Sequence, residues 1–195
     1  EKTEFLHIIN KLDPKALVFE EGFSDIMTPL LPQLKTKNIY SGNRPPAGTI
    51  AYEDLATKFS ADEPKVFVED EAPFFIQSTS GSTGFPKAAM LSQGGLIRRA
   101  LVRAIDLGTN SKDIYLAVTA LANTAAIFYG LSQLYCGGTV ILRNRFDALE
   151  TAKLIEKRRV SNVSMVPVMW ERFCNLPNLK DFDLSSIKIA MSYGA

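Results

Sequence analysis

The sequence predicts an α/β fold of largely parallel sheets with flanking helices. Three observations predict it. Strand-like and helix-like segments alternate along most of the 195 residues, the pattern by which helical crossovers connect parallel strands. Residues 15–40 read as strand, helix and strand at the spacing of one such crossover. The composition, 46% hydrophobic and 22% charged, is that of an ordinary globular chain long enough to bury a core.

Residues 4–12 read as the end of an amphipathic helix, and Asp13-Pro14 turns the chain into a short buried strand, "KALVFE". "FSDIMTPLLPQL" reads as a helix capped by Ser24 or Asp25, followed by the strand "KNIY". A loop, "SGNRPPAGT", leads to a short helix, "AYEDLATKF". The polar, Pro-bounded "ADEPKVFVEDEAP" is the best internal boundary. It divides a partial α/β lobe, 1–72, from a second α/β lobe, 73–195. In the second lobe "FFIQST" is a strand by composition and "KAAML" its candidate return partner. Ser92 caps a helix that ends at Gly108. Strand "DIYLAVTAL", apolar helix "NTAAIFYGLSQLYCG" and strand "GTVILR" follow. Asp147 caps an amphipathic helix with Ala148, Ala152 and Ile155 on one face. "VSNVSMVPV" is a strand, "MWERFCN" helical, and "LSSIKIAMS" the closing strand. No internal repeat is present.

Several functions are disfavoured by composition. A net charge of +1 offers no general basic surface, so no nucleic-acid partner is expected. The triplet Lys157-Arg158-Arg159 reads as a solvated helix end. One histidine, His7, and two scattered cysteines make neither a zinc site nor a catalytic triad. Cys136 and Cys174 read as buried free thiols in a reducing compartment, the cytoplasm. Residues 114–142 carry no Asp, Glu, Lys or Arg and are long enough to span a bilayer. Asn123, Gln133 and Gly137-Gly138 interrupt them, so they read as a strand–helix–strand unit, with no integral membrane span expected. The chain begins on Glu1 and stops at "IKIAMSYGA", and it reads as a piece of something longer.

The stretch "QSTSGSTGFPKAAMLS", Gln77–Ser92, carries the chemistry. Ser78, Thr79, Ser80, Ser82 and Thr83 place hydroxyls beside backbone N–H groups. Gly81 and Gly84 let the backbone approach a ligand closely, and Lys87 adds a point charge. A Walker loop is ruled out because Pro86 precedes Lys87 and Ala88 follows it. The hydrolase elbow is ruled out because no Ser has Gly two residues away on both sides. A Ser/Gly linker remains the bland alternative. The apolar runs on either side, "FFIQ" and "KAAML", favour a phosphate loop.

"TSGSTGFPKAAML" resembles the phosphate loop of the adenylate-forming superfamily, which includes acyl-CoA synthetases, luciferases and peptide-synthetase adenylation domains. It matches [ST]-S-G-[ST]-T-G-x-P-K-G through Lys87. "NTAAIFYGLSQLYCGGTVIL", "FDALETAKLIEKRRVSNVSMVPVMWERF" and "DLSSIKIAMSYGA" resemble later segments of the same family. The resemblance implies part of the large N-terminal domain of an adenylate-forming enzyme, with the C-terminal lid domain outside this chain. It implies an ATP-dependent acyl-CoA synthetase. A small-molecule carboxylate, an acyl or fatty acid, attacks MgATP to give acyl-AMP and pyrophosphate, and coenzyme A or a carrier-protein thiol then takes the acyl group. ATP, Mg2+ and coenzyme A are the implied cofactors.

On this resemblance Thr79, Ser80, Gly81, Ser82, Thr83, Gly84 and Lys87 hold the ATP phosphates. Asn123, Gly194 and Ala195 border the adenine and acyl pocket. The family's "Y-G-x-T-E", "T-G-D" and "G-R-x-D" motifs and its lid Lys do not occur here. No catalytic or metal-ligating residue is therefore expected within the chain, and the chain alone is expected to be inactive. Three departures qualify the match. Ala88 replaces the Gly after the loop Lys, Gln93 replaces a His, and Asn123 stands where many members carry His. Asn123 is equally a helix N-cap, and Gly194-Ala195 equally a plain strand end. Ala122, Ala125, Ala126, Ile127 and Phe128 suit an apolar acyl chain or a core. A non-catalytic nucleotide- or acyl-binding relative, and an adenylation domain or acyl-AMP ligase serving a carrier protein, remain alternatives.

Overall fold

The computed structural model describes residues 2–78, 88–119 and 124–194. It divides into two compact units, Glu1–Val66 and Phe67–Ala195. The division falls within the polar stretch 61–73.

In the first unit α1 (Lys2–Leu12) leads to β1 (Ala16–Glu20), which pairs in parallel with β2 (Lys37–Ser41). The two-residue β3 (Ile50–Ala51) extends the parallel sheet, and α3 (Tyr52–Lys58) follows it. Phe19 and Tyr40 are cross-strand partners and pack edge to face, with ring centroids 5.5 Å apart. Ile9, Met27, Leu30 and Leu31 close the core around them.

Two local expectations need correction. β1 is a sheet edge with one covered face, so Phe19 is buried while Val18 is 59% exposed. The segment 23–34 is no single capped helix. It is α2 (Ser24–Met27) between the 3-10 turns Glu21–Phe23 and Thr28–Gln33. No side-chain cap bond forms there, and Ser24 Oγ is buried without a partner among the described residues. Pro32 explains the break, since a proline inside a helix removes a donor and clashes with the carbonyl four residues earlier.

The second unit contains two sheets. β4 (Pro73–Ser78) and β5 (Ala88–Ser92) form an antiparallel pair. The other sheet is four-stranded and wholly parallel, in the order β7-β6-β8-β9. Its strands are β6 (Ile114–Ala117), β7 (Thr139–Leu142), β8 (Asn162–Met165) and β9 (Ile189–Ser192). The helices are α4 (Gln93–Leu107), α5 (Thr124–Tyr135), α6 (Ala148–Arg158) and α7 (Pro167–Cys174). All four residues of central β8 are buried, whereas β7 at the edge is half open. Leu116, Ala152, Ile155, Val160, Val163 and Met165 form the core.

The caps follow local chemistry. Ser92 Oγ accepts from the Gly95 N–H at 3.2 Å, and Gly108 ends α4 in the left-handed region at φ 59°. Asp147 Oδ1 accepts from the Glu150 N–H at 2.9 Å. The expected strand through residue 168 stops at Met165, because Pro167 cannot donate to the ladder and instead opens α7. Residues 114–142 fold as β6, α5 and β7, and among the described residues no helix is long and apolar enough to cross a membrane.

Both cysteines are free, but Cys174 is exposed and Cys136 half-buried, against the expectation of two buried thiols. Cys174 lies at the end of α7.

Arg159, expected as part of a solvated helix end, is exposed at the end of α6 and makes a further contact there. It ends α6 with φ 51°, and its guanidinium donates to the Asp183 carboxylate and to Ser185 Oγ. The Ser185 hydroxyl and N–H, together with Arg159, hold the Asp183 carboxyl down to about 2. A lowered folded value means a stabilisation that is present above the ordinary 3.8 and lost as pH falls through about 2. The Asp183 carboxyl carbon should accordingly titrate in NMR with a midpoint near 2. In the Arg159→Ala variant that midpoint should rise.

Candidate functional site

In an open parallel sheet, ligands bind beyond the carboxyl ends of the strands, where the strand order reverses. Here the chain leaves β6 for β7 on one side and then returns to β8 on the other. The reversal point therefore lies between β6 and β8. Three described segments emerge at this edge: Val118-Thr119 after β6, Val166 after β8, and Tyr193-Gly194 after β9. Thr119 Oγ1 and the Tyr193 hydroxyl are 2.8 Å apart in a hydrogen bond, tying two of these strand ends together. Gly194 has φ 71°, a conformation glycine adopts without strain.

Aromatic rings link β6, α5 and the end of β9. The Tyr129 ring lies 6.0 Å from Tyr115 and 6.3 Å from Tyr193. The Tyr115 hydroxyl and Ser164 Oγ are 2.6 Å apart. Burial pushes the Tyr115 phenol well above its usual range, outweighing that hydrogen bond, so it remains a neutral phenol.

The β4–β5 pair adds a third wall. Its register pairs Gln77 with Ala89 and Ser78 with Ala88. The phosphate-loop residues Thr79, Ser80, Gly81, Ser82, Thr83, Gly84 and Lys87 lie outside the described residues, as do Asn123 and Ala195. The strand ends that the loop joins are nevertheless cross-strand partners. A stretch that returns the chain to the neighbouring strand connects a hairpin, whereas an interdomain linker would lead elsewhere.

A cavity of about 400 Å3 opens between these parts. Gln77 and Leu91 of the hairpin, Phe128 and Tyr129 of α5, and Tyr193 line it. Arg99 and Arg103 complete the wall from α4. One turn apart, they lie over rings of α5: Arg99 Cζ is 4.1 Å from the Phe128 ring centroid, and Arg103 Cζ is 5.2 Å from that of Tyr129. A larger cavity, about 540 Å3, lies against α1 and β1 in the first unit. Its walls are almost wholly apolar, with Glu20 the one charged residue, so it offers nothing to hold an anion.

Of the predicted site residues, Gly194 is the one described, and it stands at the carboxyl edge of the sheet. Ala122 lies outside the described residues, and the rest of the apolar segment, on α5, divides its roles. Ala125, Phe128 and Tyr129 line the cavity, while Ile127 faces a different one. Ala126 is fully buried. Sequence reasoning missed Arg99, Arg103, Tyr129 and Tyr193. The available signal was a pair of arginines four residues apart on the helix that follows the loop. Among the described residues no His, Cys, Asp and Glu side chains gather in threes as a metal site.

Comparison with known proteins completes the description. The family model for "AMP-binding enzyme" matches residues 1–195. The chain is 31% identical over 194 residues to an indoleacetate–CoA ligase of Aromatoleum aromaticum, covering 95% of this chain and 37% of that protein. It is 35% identical over 121 residues to a feruloyl-CoA synthase of Amycolatopsis sp., covering 62% of this chain and 25% of that protein. The chain thus spans well under half the length of these curated relatives. Among solved structures, an anthranilate CoA ligase in complex with anthranoyl-AMP superposes with a TM-score of 0.87 at 17% identity, covering 98% of this chain and 38% of that one. At that identity the likeness is one of fold.

Proposed function

This chain belongs to the AMP-binding enzyme family, and on that premise we propose that it forms part of an AMP-forming acid–thiol ligase, an acyl-CoA synthetase. One observation carries the proposal. The hairpin that bears the Ser/Thr/Gly-rich loop also walls, through Gln77, the cavity that reaches Tyr193 at the sheet's functional edge. Phosphates held by the loop and a carboxylate held in the cavity would then be neighbours.

In this reading Ser82, Thr83 and Lys87 neutralise the β- and γ-phosphates, with Thr79, Ser80, Gly81 and Gly84 completing the cradle. Gly194, Ala195 and Asn123 border the adenine and acyl groups. A carboxylate oxygen attacks the α-phosphorus, and the bond to the pyrophosphate oxygen breaks. A thiol sulfur, of coenzyme A or a carrier protein, then attacks the acyl carbonyl and AMP leaves. The protein's part is orientation and charge neutralisation. Mg2+ accompanies the nucleotide and supplies further neutralisation of the phosphates. The described residues contain no cluster to hold it separately.

The rings lining the cavity suit a flat aromatic acid better than a long fatty chain, and the named substrates of the two curated relatives are aromatic acids. The free thiols fit a reducing compartment, the cytoplasm. Lobes at 1–72 and 73–195 are proposed as the working parts of the N-terminal domain. Residues 1–195 by themselves are expected not to turn over, because the adenine, ribose and lid motifs of the family are not among them.

The test is carboxylate-dependent ATP–pyrophosphate exchange by the full-length gene product, across fatty, aromatic and amino acids. Exchange with aromatic acids is the expected result. Folded protein that binds ATP yet exchanges with no acid would overturn the ligase reading in favour of a binding relative.

A further inference from the structure

We propose that Arg99 and Arg103 make this site selective for an acid that carries a second anionic group on the far side of a flat, aromatic spacer. The inference rests on the ligase reading above and names the substrate class of the same cavity.

Two like charges four residues apart on a helix repel each other and cost stability. Neighbouring Arg98 is compensated, standing 3.5 Å from Asp70 and 4.0 Å from Glu71. Arg99 and Arg103 pair with no carboxylate among the described residues, although Asp106 lines the outer groove beside them. Their partners are the π faces of Phe128 and Tyr129. A guanidinium over a ring keeps its N–H donors free around its rim, in a fork that matches a carboxylate. The rest of the cavity wall is mostly apolar, so an anion there finds its main partners in the two guanidiniums.

Placement supports the same conclusion. The Tyr129 ring lies 6.3 Å from that of Tyr193 and 5.2 Å from Arg103 Cζ, and all three line one cavity. An acid whose reacting carboxylate lies at the Tyr193–Gly194 edge would extend its far end into the cavity that both guanidiniums line. The ATP phosphates are assigned to the loop at the hairpin tip. They do not account for two arginines that lie against α5.

The test uses the full-length protein and two probes of nearly equal shape, terephthalate and its monomethyl ester. We expect kcat/KM for exchange to favour terephthalate at least tenfold. Arg99→Gln and Arg103→Gln should each shrink that ratio severalfold, and Arg103→Lys should retain part of it. The ratio is read within each variant, so a general loss of activity does not move it. Equal rates for the two probes, or a ratio unchanged in both Gln variants, would overturn the inference and leave the ligase reading intact, with the arginines merely covering the rings. If no acid supports exchange, the ligase reading fails and calorimetry decides the inference. Terephthalate binding that weakens tenfold in Arg99→Gln sustains it, and absence of binding ends it.

Discussion

Replacing Lys87 by Ala in the full-length protein is expected to lower carboxylate-dependent ATP–pyrophosphate exchange by about 10²-fold, the cost of removing one preorganised charge-stabilising group. The loss should fall mainly on kcat. Charge on the departing pyrophosphate grows as the α-phosphorus is attacked, so a cation near the β- and γ-phosphates contributes more in the transition state than in the bound ATP complex. Lys87→Arg should recover little, because a planar fork on a longer stem does not put its charge where an ammonium did. The measurement is steady-state exchange at saturating ATP, with circular dichroism as a control for folding. A variant with unchanged kcat would remove Lys87 from the phosphate site and return the Ser/Gly stretch to a structural role.

Gly138→Ala is expected to destabilise the fold by roughly 3 kcal/mol, combining overpacking with buried amide groups left unsatisfied. A Cβ there would stand 1.7 Å from Gln133 Nε2 and 2.8 Å from the Asp113 carbonyl oxygen. Gln133 is buried, donates to the Asp113 carbonyl at 2.8 Å, and accepts from Asn162 Nδ2 at 3.2 Å. The added methyl must expel this side chain, and these hydrogen bonds, with a third from Nε2 to the Asn110 carbonyl at 3.3 Å, go with it. Asp113, which burial alone would raise, is instead held below its ordinary value by Lys188 Nζ at 2.6 Å and by the Asn110 N–H at 3.0 Å. The perturbed region is thus a polar network joining α5, β6, β8 and β9. Gly137→Ala makes the control. Gly137 has φ 75° and meets nothing nearer than Ser111 Cβ at 3.6 Å. That substitution should cost only about 1 kcal/mol, for backbone strain alone. Urea unfolding of both variants tests the order. If Gly137→Ala were the more damaging, strain rather than the Gln133 network would dominate this turn.

Much of the fold is legible from short stretches. Ser92, Asp147 and Gly108 cap helices through bonds that span three or four residues, and such chemistry is visible in any window of that size. The β4–β5 hairpin is legible because two apolar runs flank a polar loop, and the partners lie close in sequence. The misread segments fail for related reasons. Residues 23–34 look helical by composition, but Pro32 breaks the run into 3-10 turns. "KALVFE" looks buried because four of its six residues are apolar, yet its place at a sheet edge leaves Val18 exposed.

The candidate site divides along the same line. The family resemblance, the hydroxyl- and glycine-rich loop with Lys87, and the alternation that makes a parallel sheet are all written in consecutive residues. Each rests on neighbours in the chain. It is the fold that brings Thr119 to Tyr193, 74 residues away, and Asp113 to Lys188, 75 residues away. It alone laid Arg99 over Phe128 and put a cavity beneath the hairpin. Those contacts follow from the strand order β7-β6-β8-β9 and from the docking of α4 on α5. Long-range packing selects both of these, and neither leaves a mark on the residues beside it in the chain.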